Sequence, residues 1–296
     1  MKKAKVYFTK DITPTNVVEM YKVLGKKLKG NVAVKVHSGE KGNQNYLHPE
    51  FLEDIIQHVN GTVVECNTAY PGERDTTVKH QKLMLEHGWS KYFNVDIMDS
   101  EGPDLILDIP NGRKIKKNYL GKNIKNYDSM LVISHFKGHP MGGYGGALKQ
   151  LSIGCASSYG KRYIHCVGRE NGTYEDMFKV NQDEFLESMA DAASSVVEYF
   201  KENIVYINIM CNMSVDCDCC ATAKAPCMKD IGILSSTDPV ALDQACIDMI
   251  YNSDDIGKEH LIERIESRNG THTIEVANEL GIGSKEYELV NIDNLR

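Results

Sequence analysis

Segments with the two-residue period of a strand alternate with segments of helical period along the chain, and this alternation limits the fold more than any other feature. "AKVYFTK", "NVAVKVHS", "TVVECNTA", "DLILDIP", "YDSMLVISHF" and "IVYINIMCN" are β-branched or alternate, so they predict strands. Between and after them, "TPTNVVEMYKVLGKKL", "PEFLEDIIQHVNG", "TTVKHQKLMLEHGW", "QDEFLESMADAASSVVEYFKEN" and "DPVALDQACIDMIYN" predict helices, the last with Asp238 as its N-cap and Pro239 in its first turn. Strand–helix alternation of this kind implies an α/β fold, a mostly parallel sheet with helices on both faces. Residues 160–181 show no period and are expected as a seam between two lobes of one compact domain spanning 1–296.

Of 296 residues, 42% are hydrophobic and the net charge is −7. No long basic run is present, so clustered phosphate neutralisation, and with it nucleic-acid binding, is not expected. The N-terminus has no apolar signal core and no apolar run reaches the ~20 residues of a membrane helix, so the expectation is a cytoplasmic protein without membrane contact. Nine cysteines, an odd number, argue against a disulfide framework, and five of them fall between Cys211 and Cys227.

Four polar loops follow predicted strands, where open α/β sheets bind ligands. In "SHFKGHPMGGYGGALKQLSIGCAS", Gly142, Gly143, Gly145 and Gly146 let the backbone approach an anion. A helix starting near Ala147 would add its positive end, and Lys149 a charge. His135, Lys137 and His139 precede the glycines; if that piece stays extended they line one wall, as acid, base or ligand. The spacing is neither a Walker loop nor a dinucleotide fingerprint. The bland alternative is a glycine turn with surface histidines.

"CNMSVDCDCCATAKAPC" offers Cys217 and Cys219 first, then Cys220 and Cys227, with Cys155 from the glycine-rich segment, as thiolate ligands for a metal. The spacing fits neither zinc knuckles nor a ferredoxin run, and Asp216 and Asp218 disfavour thiolates unless a cation is near. Cys211 and Cys246 read as core residues. The remaining loops, "HSGEKGNQNY" and "CNTAYPGERD", supply His37, Asn45, Asn67 and Arg74 as ligand contacts, Arg74 as a bidentate anion clamp or else a surface ion pair. Asp243 either points into the site or serves a structural pair.

"VHSGEKGNQNYLHPEF", "ECNTAYPGERDTTVKH", "DCDC", "DIGILSSTDPVALDQACIDM" and "RIESRNGTHTIEVANELGIGSKEYEL", with the glycine-rich segment extended to "GCASSYGK", resemble the uncharacterised Fe–S-centre protein family, domain of unknown function 362, over nearly the whole chain. Many members carry a ferredoxin-type insert after "GCAS…GK"; here "RYIHCVGRENGTYEDMFKVN" stands in its place, so any metal must use the core's own cysteines. "HPMGGYGGALK" followed by "IGCAS" is more faintly similar to nickel-pincer lactate racemases, which would turn His135, His139 and Lys149 toward a phosphorylated or metal-bearing ligand.

Three functions remain open at this level. The first is a metal- or Fe–S-dependent redox enzyme, carrying a [4Fe–4S] cluster or a single ion such as zinc beside a small anionic ligand, with an electron-transfer partner. The second is a non-catalytic zinc binder or sensor. The third is a metal-free enzyme using Cys155 or Cys217 on a phosphorylated metabolite. All require the thiol-bearing turn and the histidine–glycine–lysine turn to share one cleft.

Overall fold

A computed structural model describes residues 3–295. Twelve strands run in chain order as β1 (Ala4–Thr9), β2 (Val32–Lys35), β3 (Gly61–Glu65), β4 (Val95–Ile97), β5 (Leu105–Asp108), β6 (Lys117–Leu120), β7 (Ser129–His135), β8 (Lys137–His139), β9 (Gly143–Gly145), β10 (Ile204–Met210), β11 (Gly232–Ser236) and β12 (Tyr287–Asn291). Eight form one sheet in the order β12-β1-β11-β10-β7-β2-β3-β4. Every pairing in it is parallel except the two that β11 makes, with β1 and β10.

The central strands β7 and β10 are buried along their full length. Their side chains alternate between two cores: Met130, Val132, Tyr206 and Met210 on one face, Leu131, Ile133, Val205 and Ile207 on the other. The helices Pro14–Lys22 and Pro49–His58 cover the second face, and Gln182–Phe200 and Pro239–Tyr251 cover the first. Their ends follow local chemistry: Thr13, Asn181 and Asp238 accept first-turn N–H groups as N-caps. No helix among the described residues is long and apolar enough to cross a membrane.

Several elements depart from the sequence-based reading, three of them instructively. "DLILDIP" is a strand, but it pairs with β6 in a separate two-stranded sheet, its exposure alternating rather than buried. β11 is buried throughout yet carries no strand signal, because its last two residues are serines whose hydroxyls are satisfied by the Met20 and Lys5 carbonyls. Within the aperiodic stretch, Ser158–His165 is a helix capped by Ser157, and it packs with Phe185, Leu186 and Met189 in a third apolar cluster.

Candidate functional site

The strands β2, β3, β7 and β10 are mutually parallel, so their C-terminal ends lie along one rim of the sheet. The four polar loops leave from those ends. The thiol-bearing loop and the histidine–glycine–lysine loop meet there: Lys149 Nζ stands 3.5 Å from Cys217 Sγ, and His139 Nε2 lies 3.9 Å from Cys219 Sγ. The ligand atoms of His139, Cys217 and Cys219 all lie within 4.8 Å of one another. This group could hold one metal ion.

The cysteine loop is held in place by the loop after β2. Asn43 donates from its amide to the carbonyls of Cys217 and Cys220, and Asn45 to that of Lys224. The Glu40 N–H donates to the Asp218 carbonyl at 2.8 Å. Asn45 is therefore a tether between loops rather than a ligand contact.

Charge in the cluster is concentrated on one sulfur. Burial by itself would raise the Cys217 thiol, but the hydrogen bond from Cys219 and the charges of Lys149 and His139 hold it well below the usual thiol range. Hydrogen bonding to Cys217 and Cys220, with burial, pushes the Cys219 thiol up. Burial would lower Lys149, but Cys217 and Cys219 hold it above its ordinary value. His139 is lowered by burial and by Lys149. Its Nδ1 accepts N–H groups from Met141 (3.2 Å) and Gly142 (2.9 Å), so the neutral ring carries its hydrogen on Nε2, facing the sulfurs.

His135 and Lys137 do not line one wall with His139. The chain leaves β7 at Phe136 and turns into β8, which pairs with β9. His135 Nδ1 meets the Asp218 carboxylate at 2.9 Å and its Nε2 meets the Cys211 carbonyl at 2.6 Å. Lys137 Nζ closes on the same carboxylate and on the His135 carbonyl. Burial would raise Asp218, yet His135 and Lys137 hold it well below the carboxylate range. This knot is internally satisfied, and neither His135 nor Lys137 reaches the cavity described below.

The glycine-rich turn does not offer its N–H groups to a ligand either. The Ala147 and Leu148 N–H groups donate to the Asp243 carboxylate at 2.8 and 2.9 Å, so a residue of the chain already fills the helix N-terminus. Gly143 and Gly145 pair with β8, and the Gly142 N–H goes to His139. The glycines serve close packing: a Cβ on Gly146 would lie 2.5 Å from the Asp243 carboxylate, and one on Gly143, at φ +79°, would lie 2.8 Å from Gly270. The helix starting at Ala147 is short and passes into a π-turn over Gln150–Gly154, which carries Lys149, Gln150 and Ile153 to the cavity wall.

That cavity measures about 280 Å³ and opens beside His139 and Cys219. Arg74 and His37 line it. Arg74 is buried, not a surface pair: it meets Glu40 at 3.2 Å and Glu65 at 3.8 Å, and donates to the Tyr70 hydroxyl at 2.7 Å. His37 accepts the Gly39 N–H on Nδ1 and is lowered well below the usual imidazole range by burial and Arg74. Asn67 faces away, bonded to Thr77 and His80. Cys155 is a core thiol, raised to about 11 by burial. The Cys227 thiol turns to the Met213 carbonyl, and Cys220 lies next to Cys219 but outside the three-atom group.

Sequence reasoning missed Lys35, Lys161 and His165, all buried and all on the cavity wall. Lys35 pairs with Glu65 at 2.8 Å. Lys161 and His165 sit one turn apart on the Ser158–His165 helix, and that i, i+4 basic pair between apolar Tyr163 and Ile164 was the available signal. The His165 Nδ1 donates to the Lys161 carbonyl at 2.7 Å, and burial lowers the ring to about 4.

A family model described as Domain of unknown function (DUF362) matches residues 32–248, which include all four loops. The chain belongs to the DUF362 family. No curated protein matches it. Among solved structures it is similar to the lactate racemase apoprotein from Thermoanaerobacterium thermosaccharolyticum, at 12% identity and a TM-score of 0.46, over 97% of this chain and 82% of that one. It is also similar to a structural-genomics target protein from Thermotoga maritima, at 10% identity and a TM-score of 0.39, over 90% of this chain and 58% of that one. Neither likeness carries a residue's role across. The resemblance to DUF362 members with an Fe–S centre is therefore tested on this chain's own donors. A four-iron cluster takes four thiolates, whereas two thiols and one imidazole converge here, with Cys155 and Cys227 directed elsewhere. That donor set suits a single borderline-soft ion.

Proposed function

We propose that this member of the DUF362 family is a metal-dependent enzyme. Cys217, Cys219 and His139 hold one zinc-class ion, and a small anionic molecule binds in the adjoining cavity. The observation that carries this reading is the convergence of the three ligand atoms within 4.8 Å at the edge of a cavity also lined by Lys149 and Arg74. A closed storage site supplies four protein ligands, whereas three leave a coordination position for water or substrate. A bound ion would polarise whatever occupies that position. Lys149 would hold the anion's charge next to it, and His165, neutral with Nε2 free of a partner among the described residues, would accept a hydrogen bond from the bound molecule. Because the ion displaces protons from Cys219 and from His139 Nε2, its affinity rises with pH.

Metal analysis of anaerobically purified protein tests the reading. It predicts close to one equivalent of a colourless divalent ion in the wild type and little in His139→Ala or Cys219→Ser. Content far below one equivalent, even after reconstitution, overturns it; a coloured, sulfide-containing centre would restore the iron–sulfur alternative.

One observation favours a second reading. A metal-bound histidine ordinarily donates its other N–H, but His139 Nδ1 accepts two backbone donors. A ring so held donates from Nε2 to a thiolate, which fits Cys217 as a metal-free nucleophile. Rapid alkylation of Cys217 at neutral pH in protein purified without metal would support it.

A further inference from the structure

The cavity's two ends differ in chemistry, and that difference describes its occupant. At the deep end, Lys161 is 7% exposed and its Nζ meets only the Ala156 carbonyl. Lys149 Nζ meets only the Cys217 sulfur. Among the described residues no carboxylate lies in ion-pair range of either, whereas Lys35 and Arg74 on the same wall are matched by Glu65 and Glu40. Lys149 is balanced only by the Cys217 sulfur, which a metal ion would claim, and Lys161 has no counter-charge in contact; buried lysines so placed are costly unless an anion joins them. A divalent ion that neutralised the two thiolates would release Lys149 completely toward that anion.

At the mouth the wall is apolar: Pro140, Met141, Ile153, Met177 and Phe178, with Tyr174 packed edge-on against Phe178 at 5.2 Å. Phe178, 60% exposed, ends the single turn Glu175–Phe178, and Tyr174, 41% exposed, immediately precedes it. Large aromatic side chains on a short polar loop beside an opening leave apolar area for a ligand to cover. The volume, about 280 Å³, stands near the low end of ligand clefts, roughly 300–1,000 Å³.

We infer that the molecule bound beside the metal is an amphipathic anion: a carboxylate or phosphate head held by Lys161 and Lys149, with an apolar body the size of one ring resting on Met141, Ile153, Met177 and Phe178. This rests on the metal-centre reading for where the head lies, but not for whether the two-ended cavity discriminates.

Calorimetric titration of zinc-loaded protein with 3-phenylpropionate, phenyl phosphate, propionate and 3-phenylpropan-1-ol tests it, with zinc content measured on every sample. At least one of the two aryl anions should bind about tenfold or more tighter than propionate and than the neutral alcohol. The better of the two identifies the head. Lys161→Met should cost the aryl anion about tenfold and leave the alcohol unchanged. Phe178→Ala, at an exposed position that leaves the fold intact, should bring the aryl anion toward propionate. Equal binding of acid and alcohol, equal binding of aryl acid and propionate, or no binding of any of the four to zinc-loaded protein overturns the inference. Should zinc content stay far below one equivalent while the same discrimination persists on metal-free protein, the metal reading falls and this one stands.

Discussion

Cys217 and Asp218 are adjacent, yet their side chains enter opposite electrostatic regimes. Asp218 is enclosed by His135 and Lys137 in a knot whose charges are matched inside the protein. Cys217 faces Lys149 and His139 across a cluster where no carboxylate balances the lysine. The first arrangement holds two loops together. The second pairs the lysine with a thiolate, a partner that a bound ion can take over. A polar cluster at the rim of a sheet becomes a candidate site when its charges are balanced by groups a ligand can claim, and the count of polar residues alone does not tell the two apart.

Urea unfolding of chelator-treated variants ranks the two regions. Asp218→Asn has the largest expected effect, a loss of about 3–5 kcal/mol, because the buried Lys137 ammonium loses its counter-charge and His135 loses its carboxylate partner. Its pH behaviour follows from sign: the folded-state carboxyl is depressed. Its stabilisation is therefore fully present above the unfolded value of about 4 and is lost as pH falls toward the folded one. The variant should lack that acid-side loss. Lys137→Met should cost about 2–3 kcal/mol, since His135 still meets the carboxylate. Lys149→Met should cost less than about 1 kcal/mol, because the Cys217 thiolate that loses its partner can take up a proton and become a neutral buried thiol. A loss equal to that of Lys137→Met would erase the contrast between the regions. Asp216→Asn should fall within about 1 kcal/mol, its partner Arg264 lying 3.6 Å away in a partly exposed pair of loose geometry.

Much of this was legible in the sequence. Periodicity placed β7 and β10 because both are apolar on both faces, and the convergence of the two loops followed from strand direction. The division of labour within the loops was not legible. His135, Lys137 and His139 read as one wall, and only the turn at Phe136 separates the first two from the third. The glycines read as an anion cradle; that Asp243, nearly a hundred residues later, fills the helix N-terminus depends on a tertiary contact with no local signature. Lys161, His165 and Phe178 lie in the stretch that shows no period, because a short helix and a single turn present cavity-facing side chains at irregular spacing.

The amide clamps from Asn43 have a consequence for assembly. They join positions separated by 174 and 177 residues, so they cannot form until the chain between them has been threaded through β3, β7 and β10. Contacts of such long sequence separation carry a loop-closure cost and come late in folding. A growing polypeptide therefore displays the asparagine loop well before the thiols exist, and any ion taken up by Cys217, Cys219 and His139 would arrive as the last event of maturation rather than as a nucleus for it.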